Sequence, residues 1–282
     1  MSMTDWELPG SNGLPIRGTT QLPVGDPRAA VVVVHGYLGF KEYGMFPWIA
    51  AQLCSDGHIV HRVNLSHSGM DHGNGPFDND VIVKDTWSRG VEDISLLSQA
   101  IDRGVLAGDG SGVVLFGHSR GGATCLLTAG RHALDEAMSP VVGVVSLSSP
   151  ASLRRMSSVA EKQLLADGTV DMPSSRTGQT LHVGRAWLQE QIDDPEGHDL
   201  LAQVGQIRCP IGLLHGAEDP TVSASDAVTI AQANPSRSMV HLVEDGDHVF
   251  NTPNPFAANG DPSPQLAEVM ATASAWIDTW VQ

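Results

Sequence analysis

Four apolar residues, Val113-Val114-Leu115-Phe116, run directly into Gly117-His118-Ser119-Arg120-Gly121-Gly122. The apolar stretch Ala123–Ala129 follows at once. The first run reads as a buried strand and the last as a helix, with almost no chain left for the turn between them. A strand that reverses so sharply into a helix has no room for Cβ atoms two residues either side of its apex, and glycine stands at both places. Ser119, at the apex, would stand clear of the sheet at the positive end of the helix. Gly-x-Ser-x-Gly between a strand and a helix presents a nucleophile. Without that context the same serine would be a helix cap in a glycine-rich turn.

The rest of the chain supplies a sheet for this turn to sit on. Ala30-Val31-Val32-Val33-Val34 is a continuous β-branched run, the mark of a strand buried on both faces. His58–Leu65, Val141–Leu147, Cys209–Leu214 and Ser238–Val243 read as further strands, and residues 6–30 as two short antiparallel edge pieces. Helical spacing falls at Phe46–Ser55, Val83–Arg103, Ser225–Ala233 and Gln265–Val281. Alternating strands and helices imply right-handed crossovers. The fold expected is therefore α/β, a doubly wound, mostly parallel sheet of about eight strands. The alternation breaks over residues 151–208, where helical pieces at Leu153–Ala166, Arg185–Ile192 and His198–Val204 flank a hairpin across Thr169–Val183. Residues 1–150 and 209–282 are thus expected to form the core domain. Residues 151–208 would be a small, mainly helical cap inserted before the seventh strand, over the ends where ligands bind in open α/β sheets.

A serine hydroxyl needs a base, and the base needs a carboxylate to hold its tautomer. Both should come from loops after later strands. Leu213-Leu214 leads into His215-Gly216-Ala217-Glu218-Asp219, and the last strand leads into Glu244-Asp245-Gly246-Asp247-His248. Ser119, Asp219 and His248 then follow in the order nucleophile, acid, histidine. Glu218 competes as the acid. Asp219 is preferred because the longer gap from Gly216 lets the loop turn before the carboxylate is presented. The developing oxyanion needs amide donors. Arg120, after the nucleophile, and Tyr37, after His35-Gly36, are the candidates. Trp187 and Leu188 in the cap are candidates for the substrate pocket. His118 is expected to pack away from the site.

His35-Gly36, Gly117–Gly122, His215-Gly216 with Asp219, and Gly246-Asp247-His248 together resemble the α/β-hydrolase superfamily, over residues 15–282. His35–Pro47 and Arg176-Thr177-Gly178-Gln179 resemble a bacterial branch described as dienelactone-hydrolase-like or serine-aminopeptidase-like. The resemblance implies the α/β-hydrolase fold, the Ser119–Asp219–His248 triad and acyl transfer of the esterase or peptidase type. It does not supply a substrate. True dienelactone hydrolases carry Cys where this chain has Ser119. Haloalkane dehalogenases and epoxide hydrolases need Asp there.

Composition narrows the partners. The formal charge of −16 disfavours nucleic acid and anionic membrane surfaces. No apolar run approaches the roughly 18 residues of a membrane span. The first residues, Met1–Glu7, show no signal-peptide pattern, and three separated cysteines (Cys54, Cys125, Cys209) fit free thiols in a reducing cytoplasm. His58, His61, His67, His72, Asp71, Asp78 and Asp80 gather near one loop, but with no compact zinc spacing. No metal or cofactor is expected, and no oligomeric state is read. The expected activity is a carboxylester hydrolase acting on a small or medium ester. A peptidase or amidase, an acyltransferase, and a ligand-binding protein that keeps the fold are the rivals.

Overall fold

The computed structural model describes residues 2–71, 75–133, 140–174 and 177–281. The chain opens with β1 (Ser2–Pro9) and β2 (Pro15–Leu22), an antiparallel pair joined through a 3-10 turn at Ser11–Gly13. There follow β3 (Ala30–Val34), α1 (Phe46–Ser55), β4 (Ile59–Asn64), α2 (Asn79–Ile82), α3 (Trp87–Asp102), β5 (Val113–His118), α4 (Arg120–Arg131) and β6 (Val141–Leu147). Next come α5 (Ser158–Asp167), β7 (Thr169–Pro173), β8 (Thr180–Gly184), α6 (Arg185–Asp193) and α7 (Leu200–Gln206). The chain finishes with β9 (Ile211–Gly216), α8 (Ser225–Ala233), β10 (Ser238–Val243) and α9 (Pro264–Trp280).

Eight strands make one sheet in the order β1-β2-β4-β3-β5-β6-β9-β10, and β7 pairs only with β8. From β4 to β10 every neighbour is parallel, while β1 and β2 form an antiparallel edge. This is the α/β-hydrolase architecture, with the β7–β8 hairpin inserted before β9. Arg176, in the stretch that resembles the bacterial branch, lies outside the described residues.

The apolar runs explain the layering. Successive strand side chains point to opposite faces. In β3, Val32 and Val34 pack with α3 and α4, while Val31 and Val33 pack with α1 and α9. β5 divides the same way, with Leu115 on the first face and Phe116 on the second. A run without polar breaks is required because neither face meets water.

Three helices begin later than their apolar spacing suggests, each for the same reason. Thr86 is extended and its Oγ1 accepts the Arg89 amide, so α3 starts at Trp87 rather than near Val83. Ser157 accepts from Ala160 and starts α5, and Asp199 accepts from Leu201 and Ala202 and starts α7. A capping side chain offers the amide a partner that the helix cannot give there.

The chain leaves β3 for β4 on one side, then returns to β5 on the other. Ligands bind in the crevice at such a reversal, outside the C-terminal ends of the strands. Val34 pairs with Gly117 across it, so the residues after β3 and β5 emerge side by side.

Candidate active site

The turn after β5 is as tight as the glycines require. A Cβ on Gly117 would lie 2.5 Å from the Gly121 carbonyl carbon, and one on Gly121 would lie 2.3 Å from the His35 oxygen. Ser119 has φ +54° and ψ −123°, a conformation a serine holds only when its surroundings impose it. They do so from both sides. The Ser119 amide donates to the Leu147 carbonyl at 2.7 Å, and the Ser119 carbonyl accepts from Ser149 Oγ at 3.0 Å. Ser146 Oγ in turn donates to Ser149 Oγ at 2.7 Å. These two serines escaped the sequence reading. Their signal was the run Ser146-Leu147-Ser148-Ser149 closing an otherwise apolar strand.

The acid and the histidine meet. β9 ends at Gly216 and β10 at Val243, paired with each other, so their loops leave the sheet together. Asp219 Oδ2 lies 2.7 Å from His248 Nδ1, and the Asp219 side chain has no exposed surface. Oδ1 accepts the amides of Thr221 and Val222 at 2.8 and 2.9 Å, which turns the loop around the carboxylate. His215, at the end of β9, also approaches: its Nε2 is 3.2 Å from Asp219 Oδ2 and 3.1 Å from the Val222 carbonyl. Burial by itself raises the Asp219 carboxyl. The hydrogen bonds from His215 and His248 and the Val222 amide outweigh it and hold the group well below the usual carboxylate range. Glu218, the competing acid, is exposed. In the sequence His215-Gly216 reads only as a strand end, with no signal for this second histidine on the carboxylate.

A carboxylate only accepts hydrogen bonds, so the proton shared with Asp219 belongs to His248 Nδ1. In the neutral ring Nε2 then carries the lone pair. Arg120 opens α4, where the first amides have no partner within the helix. Gly36 comes so close that a Cβ there would stand 3.1 Å from Ser119 Cβ, which brings the Tyr37 segment against the serine. The Arg120 side chain turns elsewhere. Its Nη2 pairs with Asp85 Oδ2 at 2.8 Å, and its guanidinium lies 4.4 Å from the Trp87 ring centre and 5.3 Å from that of Tyr37. Burial, against the opposing charge of Arg120, pushes the Asp85 carboxyl up to about 6.

A cavity of about 320 Å³ reaches Ser119. Tyr37, Trp87, Met156, Met172, Val183 and Trp187 give it an apolar wall, much of it from residues between β6 and β9. Trp187 is in that wall. Leu188 is not: it is the next residue of α6 and is fully buried in the core.

Two of the histidines in and before the 66–80 loop are engaged with protein groups. His61 sits 2.8 Å from Thr20 Oγ1 and 2.9 Å from the Ala107 carbonyl, and His67 contacts Ser11 and Ser66. His72 lies outside the described residues. Among the described residues no group of three or more His, Cys, Asp or Glu is placed to hold a metal ion. Among them, too, no helix is long and apolar enough to cross a membrane. Cys54 and Cys125 are buried free thiols and Cys209 is half-buried.

Residues 31–259 match the model of the alpha/beta hydrolase family. No curated protein matches the sequence. Solved structures do match in fold. The esterase domain of a Rhodothermus marinus protein superposes with a TM-score of 0.66 at 19% identity, covering 100% of both chains. A thermostable carboxyl esterase from Bacillus coagulans, in complex with glycerol, gives 0.71 at 14% identity, again covering 100% of both. Est1E of Butyrivibrio proteoclasticus, bound to ferulic acid, gives 0.68 at 12% identity, covering 98% of this chain and 99% of its own.

Proposed function

The chain belongs to the alpha/beta hydrolase family, and from that premise we propose that it is a serine esterase with Ser119, His248 and Asp219 as its triad. The observation that carries this reading is the 2.7 Å contact between His248 Nδ1 and a fully buried Asp219 carboxylate, at the sheet edge where Ser119 is held at φ +54°.

The steps follow from the tautomer. His248 Nε2 takes the Ser119 proton as Oγ attacks the ester carbonyl, and the imidazolium formed is stabilised by Asp219. The Arg120 and Tyr37 amides hold the oxyanion of the tetrahedral intermediate. One such donor is typically worth about a hundred- to a thousandfold in rate. His248 then protonates the departing alkoxide, leaving an acyl group on Ser119. Water, deprotonated by His248, attacks that acyl-enzyme and releases the acid. Residues 151–208 act as a cap. They supply Met156, Met172, Val183 and Trp187 to the cavity wall, which favours an apolar part of the ester beside Ser119.

Hydrolysis of p-nitrophenyl esters from acetate to laurate, by the wild type and by Ser119→Ala, tests the reading. The expected result is turnover that falls by roughly three to six orders of magnitude in the variant. Equal activity in both proteins would remove Ser119 from the mechanism.

A further inference from the structure

Three charged side chains line the cavity among the described residues: Asp85, Arg120 and Arg155. The first two cancel, since Arg120 Nη2 and Asp85 Oδ2 are 2.8 Å apart. Arg155, an exposed side chain, has no such partner among the described residues. Its only hydrogen bond among the described residues runs from Nη2 to the Thr221 carbonyl, at 2.9 Å. The neighbouring Arg154 differs, with Nη2 2.6 Å from Glu161 Oε2. Among the described residues, the rim of an apolar cavity that reaches Ser119 therefore carries one positive charge with no ion-pair partner.

The contact with Thr221 fixes where that charge sits. Thr221 lies two residues beyond Asp219, in the loop that turns around the carboxylate. Arg155, from the start of the inserted segment, is thereby tied to the acid's loop. A guanidinium has five N–H donors in a rigid fork, and one of them is spent on Thr221. The fork suits a carboxylate, which it can bind through two parallel hydrogen bonds. The rest of the molecule points the other way. With a net charge of −16, the protein repels an anionic substrate at long range, so binding one depends on a local cation at the site. A wholly apolar ester gains nothing from an unpaired arginine at the rim.

We propose that the substrate is an ester that carries a carboxylate distal to its scissile bond, with Arg155 as the residue that selects it. The inference rests on the serine-esterase reading and names the substrate class of that same site. Arg120 is not the anchor, because Asp85 already neutralises it.

The test compares matched esters on the wild type, Arg155→Met and Arg155→Lys. On the acyl side the pair is p-nitrophenyl hydrogen adipate against p-nitrophenyl 6-methylheptanoate, in which an isopropyl group replaces the carboxylate. On the leaving-group side it is 4-carboxyphenyl butyrate against 4-isopropylphenyl butyrate. The quantity read is the ratio of kcat/KM, charged over neutral, within each pair. In at least one pair the ratio should fall about tenfold or more in Arg155→Met, the size expected for a hydrogen bond to a charged group. Arg155→Lys should recover part of the loss. If the ratios stay unchanged in both pairs while Ser119-dependent hydrolysis continues, the inference is overturned and the esterase reading stands. A clamp that only steadied the Asp219 loop would give that result, since both esters would suffer alike. Absence of Ser119-dependent hydrolysis of every ester would overturn both readings.

Discussion

The His118 ring donates its Nε2–H to the backbone carbonyl of His248 at 2.8 Å and stands 4.8 Å, centre to centre, from the His248 ring. The residue before the proposed nucleophile thus holds the proposed base. Burial, and after it the like charge of His248, pushes the His118 imidazole down to about 3. It is neutral through the ordinary working range, so it puts no second cation beside the imidazolium that forms on His248. Phe46 closes its other side, with ring centres 6.0 Å apart.

His118 is therefore expected to act as a positioning residue. His118→Phe keeps the packing and loses the N–H, and should lower kcat by roughly ten- to a hundredfold with KM little changed. His118→Gln, whose amide can reach the same carbonyl, should recover a substantial part. Steady-state kinetics on one p-nitrophenyl ester decides it. A change in KM alone, or no recovery with Gln, would make His118 merely a packing residue.

The hold on Asp219 predicts a pH dependence of stability. Its carboxyl lies below the ordinary 3.8 because its hydrogen bonds outweigh burial. A group lowered in the folded state binds fewer protons there than in the unfolded chain. Its stabilisation is full above the unfolded value and is lost as pH falls through the folded one. The gap in urea midpoint between wild type and Asp219→Asn should therefore narrow as pH falls from about 6 to about 3. At neutral pH the same variant should lose about ten-thousandfold in kcat, because an amide favours the wrong histidine tautomer. A gap that widens toward acid would contradict the assignment.

Trp187 offers a test of the cavity. It is buried, on α6, and forms part of the wall near Ser119. Trp187→Ala removes that wall and should move the acyl-chain optimum toward longer esters, with KM for short ones rising about tenfold or more, within the roughly ten- to 200-fold that a pocket methylene can discriminate. Stability should fall by about 3 kcal/mol, the usual cost of truncating a buried aromatic. An unchanged chain-length profile and KM would place the substrate elsewhere.

The sequence by itself determined the sheet and the positions where loops leave it. A β-branched run such as Ala30–Val34 has only one comfortable environment, a strand covered on both faces, so the parallel core could be read residue by residue. The glycines around Ser119 were legible for a similar reason, since the contacts that exclude a Cβ are local to one turn. The pairing of Asp219 with His248 was inferred from the order of loops after strands. Helix starts were less legible, because a cap is a competition between one side chain and the helix, which apolar spacing does not register.

Only the tertiary structure decided which polar groups meet. Periodicity says that a residue faces inward, not what stands opposite. His215 on Asp219, Ser149 on the Ser119 carbonyl, His118 on His248 and Asp85 on Arg120 join segments between 4 and 130 residues apart. The same limit separates Trp187 from Leu188. Both are buried, but one faces the cavity and the other the core, and that difference is set by how α6 is rotated against its neighbours. Apart from His215 on Asp219, which meet within one turn, these contacts depend on packing among distant elements, which no local pattern encodes.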